Sequence, residues 1–171
     1  MPVAPSAPIA TGRSASVHHL VLSVETHRQV EFVDLTTALA AAVKGLGLLD
    51  GVVVLQTRHT TTGILVNEHE PGLLEDLEAM FERLAPASIP YAHDDPGRRT
   101  VNVGPEERRN GHAHCRAALL RTSESVAVSC GTLALGRWQR VFLVDFDGGQ
   151  RRQVSVTLIG ETRTAGPGVP P

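Results

Sequence analysis

Val17 to Glu25 alternates, with Leu20, Leu22 and Val24 on one parity, and after a polar turn Val30 and Phe32 resume the apolar pattern. Together they predict a β-hairpin. Asp34 or Thr36 stands where a helix N-cap is needed, and Leu39, Ala40, Val43 and Leu46 follow at helical spacing until Gly45 or Gly47 ends the run. Asp50-Gly51 then turns the chain into a continuous aliphatic strand, Val52 to Thr57, of the kind buried on both faces. A second such run, Ile64 to Val66, predicts a tight hairpin closed by Thr61 and Thr62. Pro71, with Glu70 before it, opens a second helix whose Leu73, Leu74, Leu77, Met80, Phe81 and Leu84 lie on one face and which ends before Pro86.

From Ala85 to Asn110 no periodicity holds, and a structureless stretch of that length is usually functional or disordered. Its His93, Asp94 and Asp95 favour function. Asn110 suits the N-cap of a short helix running to Leu119, with Cys115, Ala118 and Leu119 facing inward. Ser125 to Cys130, Thr132 to Leu135 and Trp138 to Asp147 read as strands, Asp147-Gly148-Gly149 as a hairpin turn, and Val154 to Gly160 as the last strand. Trp138, Phe142, Val144 and Phe146 occupy one parity of the long strand and Val141 and Leu143 the other, so one face is expected to meet another subunit. About eight strands and three helices, in sheets mostly antiparallel but mixed, make an α+β domain.

The length of 171 residues and 42% hydrophobic content fit one domain with a sizeable core. Residues 16–161 form it, between Pro- and Gly-rich ends at 1–15 and 162–171 that are expected to be disordered. A net charge of -2 gives no global basic field, which disfavours nucleic acid or an anionic membrane as partner. There is no apolar run of the roughly 18 residues a membrane helix needs, and no signal-peptide core at the start, so a cytoplasmic location is expected. Cys115 and Cys130 lack CxxC spacing and read as reduced core thiols.

The chemistry gathers around Arg58 to Glu68. His59 stands at the end of a buried strand, where it either serves a site or closes the turn by binding backbone. With His93 and His114 it supplies imidazoles from three separate elements, as the ligands of an open metal site do. Glu68 could act as a fourth ligand or general base, cap the helix that Pro71 begins, or reach a neighbouring subunit. In a tight hairpin it would pair near Leu55, roughly 13 Å along the ladder from His59 at about 3.3 Å per residue, too far to share one ion. Asp94 and Asp95 either orient the His93 ring or form an Asx turn before Pro96. The helix start at Asn110, with Arg116, Arg121 and Arg137 to supplement it, offers donors for a phosphate or other small anion. Trp138 and Gln139 could stack on and hydrogen-bond a planar ligand, or the Trp could fill a core. No GxxxxGK[ST], GxGxxG or GxSxG is present.

Set in order, His59-Thr60-Thr61, Asn67-Glu68, Asp76, Tyr91, His93, Asp94, His114, Gly131, Gly136 and Trp138-Gln139 resemble the YjbQ-like family, sometimes named secondary thiamine-phosphate synthase. Arg121 and Arg137 depart from its pattern, placing guanidinium groups where members have Gly and Thr or Ser. The resemblance implies an α+β sandwich assembled as a homotrimer, with a pocket near subunit contacts. It implies a divalent metal, zinc first, at His59, His93 and His114. It also implies an activity joining a hydroxymethylpyrimidine diphosphate to a thiazole phosphate with loss of pyrophosphate. Glu68 or Asp94 would then move a proton, with Thr60, Asn67, Asn110, Arg116, Trp138 and Gln139 as ligand contacts. A non-catalytic module that holds metal or a small anion uses the same residues.

Overall fold

The structure, a computed structural model, describes residues 15–104 and 108–163. Its elements are β1 (Ala15–Glu25), β2 (Glu31–Asp34), α1 (Thr36–Gly45), β3 (Leu48–Thr57), β4 (Thr62–Glu68), α2 (Pro71–Leu84), α3 (Gly111–Ala117), β5 (Ser123–Ser129), β6 (Thr132–Leu133), β7 (Gln139–Asp145) and β8 (Arg151–Thr162). The fold is α+β, as its pattern predicts, but every strand pairing among the described residues is antiparallel. The expected disordered ends fall largely outside the described residues.

Two sheets form, in the orders β1-β8-β3-β5-β6 and β2-β7-β4. Period-two alternation aims Val53, Leu55, Val156 and Leu158 of the larger sheet at Val141, Leu143 and Ile64 of the smaller, and Leu39 and Val43 of α1 join this core. The opposite face of β7 carries Phe142, Val144 and, just beyond it, Phe146, which pack with Phe81 of α2 and Ala113 and Ala117 of α3. Burying each such phenylalanine is worth roughly 1.5–3 kcal/mol. The layers are therefore sheet, sheet, helices. Both parities of β7 are apolar because two cores of the same chain cover them, which corrects the expectation that one face meets another subunit.

Three expected hairpins are also corrected. β1 and β2, β3 and β4, and β7 and β8 each divide between the two sheets, so their connections are corners that carry the chain across the sandwich. Glu68 consequently pairs with Gln139, not near Leu55. The three corners meet at one end of the molecule. Phe146 N–H donates to Thr61 O at 3.1 Å, Gly148 N–H to Gln29 O at 3.1 Å, and Thr26 N–H to Gln150 O at 3.0 Å. Gly148 is needed there, since a Cβ would stand 1.8 Å from Arg28 O.

Candidate functional site

Where the corners converge, Asp145 is 0% and Arg152 4% exposed. The guanidinium grips the carboxylate with two hydrogen bonds, Nε to Oδ2 at 2.7 Å and Nη2 to Oδ1 at 2.8 Å. Nη2 also reaches Asp147 O at 2.8 Å and Thr61 Oγ1 at 3.3 Å, while Thr26 Oγ1 donates to Asp145 Oδ2 at 2.8 Å. One ion pair thus ties all three corners. His59 lies beside it, and its Nε2 accepts from Gln153 N–H at 2.8 Å. Burial, and then the Arg152 charge, hold its pKa below the usual histidine value against the opposing pull of Asp145. His59 is therefore a neutral acceptor fastened to backbone. Thr61 belongs to the corner, whereas Thr60 is exposed.

The adjoining face is built by the segment before α3. A short 3₁₀ turn, Ala92–Asp94, follows Tyr91, whose hydroxyl donates to Pro86 O at 2.9 Å. Asp94 Oδ1 then accepts from the N–H groups of Asn110 and Gly111, at 3.0 and 2.9 Å. The start of α3 is thus capped by Asp94 and not by the Asn110 side chain, which makes no cap bond. Asn110 thus occupies the N-cap position as expected, but the reading of the helix start as an anion site is corrected: the donors already hold a carboxylate. Asn110 Nδ2 instead donates to Asp147 Oδ2 at 3.0 Å, and Arg108 Nε stands 3.5 Å from Asp147 Oδ1.

This scaffold brings His93 and His114 together with ring centroids 4.4 Å apart. Burial first, and then the neighbouring His93, lower the His114 pKa, while Asp147 and Asp94 oppose the shift. Two buried polar atoms here, His93 Nε2 and Asn110 Oδ1, have no hydrogen-bond partner among the described residues. Beside them opens a hollow of about 270 Å³ lined by His93, Asp94, Arg99, Arg108 and Arg109, with Pro96 and Val103. A larger groove of about 550 Å³ lies between β4 and β5, but its Arg121 and Glu124 pair with each other at 2.8 Å and no histidine lines it.

The other expected ligand contacts lie elsewhere. Arg116 is 2% exposed, donates to Ala85 O at 2.9 Å and pairs with Glu82, so it is a structural cation and not a phosphate ligand. Asn67 Oδ1 accepts from Glu68 N–H, Gln139 Oε1 accepts from Gly136 N–H, and Trp138 is 59% exposed with Arg137 stacked on its ring. These residues and Glu68 sit at the far end of the β4–β7 ladder. From Thr62 to Glu68 the strand runs roughly 20 Å at about 3.3 Å per residue. Glu70, not Glu68, caps α2. Cys115 and Cys130 are exposed, as are Ala118 and Leu119; His112, Ala113, Arg116 and Ala117 are the inward residues of α3. The missed residues Asp145 and Arg152 signalled themselves only as charges interrupting apolar strand patterns, and Asp147 only as the start of a turn.

The implied metal set of His59, His93 and His114 does not fit one chain. Among the described residues no three His, Cys, Asp or Glu side chains are grouped to hold an ion, and His59 Nε2 is already bonded. Two imidazoles come together, and the third stays at the corner.

Comparison with known proteins gives a consistent picture. Residues 21–161 match the family model described as UPF0047 protein YjbQ-like. A UPF0047 protein of Archaeoglobus fulgidus is 38% identical over 81% of this chain and 98% of its own length. One of Methanothermobacter thermautotrophicus is 32% identical over 82% of this chain and 90% of its own. The crystal structure of a YbjQ-like protein of unknown function from Sulfolobus solfataricus superposes with a TM-score of 0.76 at 31% identity, covering 86% of this chain and all (100%) of that one. A hypothetical protein from Aeropyrum pernix gives 0.73 at 30% identity over 84% and 99%.

Proposed function

The chain belongs to the UPF0047 YjbQ-like family, and on that premise we propose that it binds a small phosphorylated compound in the arginine-lined hollow beside His93 and His114. The observation that carries this reading is the hollow itself: Arg99, Arg108 and Arg109 line about 270 Å³ of space together with His93, whose ring centroid is 4.4 Å from that of His114, in a protein of net charge -2. Guanidinium groups suit a phosphate dianion in geometry and charge. The electropositive character is local. Arg108 is held by Asp147 O and Gly148 O, at 3.2 Å each, so the corner fixes where it points.

The paired imidazoles are the groups placed to move a proton. Burial and the neighbouring His93 lower the His114 pKa, which favours its neutral, proton-accepting form. Asp94 accepts from the Asn110 and Gly111 N–H groups and so joins the turn that carries His93 to the start of α3, which carries His114. The named candidate reaction is thiamine-phosphate formation, in which a thiazole nitrogen attacks the pyrimidine methylene carbon, a C–N bond forms and pyrophosphate leaves with the broken C–O bond. Both reactants are phosphorylated, which accords with the hollow.

The protein is proposed to assemble as a homotrimer. Val17, Val21 and Ile159, at 56%, 49% and 37% exposure, lie with Val52 and Val54 on the outer face of the larger sheet. No element among the described residues covers them. Only an assembly that abuts the Glu68 end of one copy on the histidine end of the next would give Glu68, Asn67, Trp138 and Gln139 a part in the site.

The experiment is calorimetric titration with inorganic phosphate, pyrophosphate and a set of phosphorylated metabolites, followed by product assays on those that bind. Binding that weakens at least tenfold in Arg108→Ala supports the reading. Absence of binding to every phosphate compound sinks it.

A further inference from the structure

We propose that a second hollow, between the Ile89–Tyr91 segment and His112, receives the uncharged, ring-containing body of the phosphorylated compound and reads it through the Nδ1–H of His112. This rests on the phosphate reading above and extends it to a class of ligand: a phosphate monoester whose body is an uncharged ring bearing a carbonyl or ring-nitrogen acceptor.

The two hollows share a wall. The second encloses about 530 Å³ and is bordered by Ile89, Pro90, Tyr91, Asp95 and His112, while Asp94, Pro96 and Arg109 border both it and the hollow at the histidine pair. A phosphate held by Arg109 therefore stands at the edge of further space. Small-molecule sites are cavities of roughly 300–1,000 Å³ with apolar walls and a few placed polar groups, and this space answers to that. Its walls are fixed: the Tyr91 hydroxyl donates to Pro86 O at 2.9 Å, and Tyr91 packs so closely on α3 that a Cβ at Gly111 would stand 2.4 Å from its own. The Tyr91 and His112 rings lie 6.3 Å apart.

His112 is 4% exposed, and Gln29 Nε2 donates to its Nε2 at 3.1 Å. An amide nitrogen only donates, so His112 Nε2 accepts and the neutral ring carries its proton on Nδ1. Burial first, and then Arg116, lower the His112 pKa and favour that neutral form, while Asp94, Asp147 and Glu82 oppose the shift. Gln29 is itself anchored at the corners, where its O accepts from Gly148 N–H at 3.1 Å. The Nδ1–H has no partner among the described residues and, unlike His93 Nε2, is not sealed from solvent, so it is left for a ligand. Charge narrows the choice further. Asp94 and Asp95 oppose a second anion, and the donors of Arg109 and His112 oppose a cation. An uncharged ring with an acceptor suits both.

Full-length protein is titrated by calorimetry with inorganic phosphate, uridine, and uridine and adenosine 5′-monophosphates, and the His112 ring-nitrogen resonances are recorded for each. At least one nucleotide should bind roughly tenfold or more tighter than inorganic phosphate, the order that one hydrogen bond with apolar burial supplies. It should shift the His112 Nδ1 resonance, which inorganic phosphate should leave in place. His112→Ala should bind that nucleotide no tighter than inorganic phosphate, and His112→Asn, which restores an N–H donor, should recover the gain. The wild-type resonances decide the matter even where a variant fails to fold. Uridine that binds and shifts His112 where inorganic phosphate does not bind would uphold this compartment and sink the phosphate reading. Nucleotides that bind no tighter than inorganic phosphate, or that leave the His112 resonance unmoved, would overturn the inference.

Discussion

Replacing Arg152 by Met leaves the Asp145 carboxylate at 0% exposure without its cation. Two charge-assisted bonds to that carboxylate disappear, as do the bonds to Asp147 O and Thr61 Oγ1. What remains is Thr26 Oγ1 at 2.8 Å and Asp147 N–H at 3.0 Å, too little to solvate a buried charge. Breaking such a pair costs about 3–5 kcal/mol. Against a total stability on the order of 5–15 kcal/mol the loss is severe. With a urea slope of about 2 kcal/mol/M the midpoint should fall by roughly 2 M. The double change Arg152→Met with Asp145→Leu removes both charges and should be more stable than Arg152→Met alone, because the penalty is that of an unpaired ion. Urea unfolding followed by circular dichroism reads both. If Arg152→Met lost under about 1 kcal/mol, or the double variant were the less stable, the ion pair would not be the tie that holds the three corners.

The remaining predictions address separate links. Gly111→Ala puts a Cβ 2.4 Å from Tyr91 Cβ, so the Tyr91–Asp94 segment must shift; a cost of about 1–3 kcal/mol should lower Tm by roughly 3–10 °C and weaken phosphate binding too. Folding depresses the His59 pKa below its ordinary value of 6.5, so the unfolded chain binds this proton more tightly. Its share of stability is complete above about pH 6.5 and lost as pH falls toward the lower folded value, and His59→Gln should flatten that fall in urea titrations from pH 7.5 to 5. Arg116→Met strips Ala85 O and Glu82 of their partner and should cost about 1–3 kcal/mol without changing phosphate affinity. Light scattering should give three times the 18.2 kDa chain mass, and Ile159→Asp on the bare sheet face should give monomer.

Sequence periodicity located the elements well and their partners poorly. α2 was readable to its ends, since Glu70 and Pro71 mark its start and the apolar stripe stops at Leu84 before Pro86. Corners and hairpins, by contrast, use the same polar and glycine residues. Asp147-Gly148-Gly149 carries a hairpin signal, yet Gly148 is there to clear Arg28 O, a contact made across the fold. The double apolar parity of β7 was legible, but whether a second core or a second subunit covers it depends on where α2 and α3 pack. In the site, His93 and His114 could be picked out as polar residues in functional contexts. His59 shared that context and is nevertheless fastened to Gln153 N–H. Asp94 reads equally as a partner of the His93 ring or as an Asx turn until α3 is seen to begin on its carboxylate. Asp145 and Arg152 sit seven residues apart on strands of different sheets, and no local spacing announces that they meet.

The central claim is that Arg99, Arg108 and Arg109 hold a phosphate beside the histidine pair. The most direct measurement is calorimetric titration of pyrophosphate into wild type, Arg108→Ala and Arg109→Ala, each confirmed folded by circular dichroism. The account predicts saturable binding at one site per chain in wild type, weakened at least tenfold in each variant and further weakened by added salt. Wild type that binds no pyrophosphate, or variants that bind it with wild-type affinity, would contradict it.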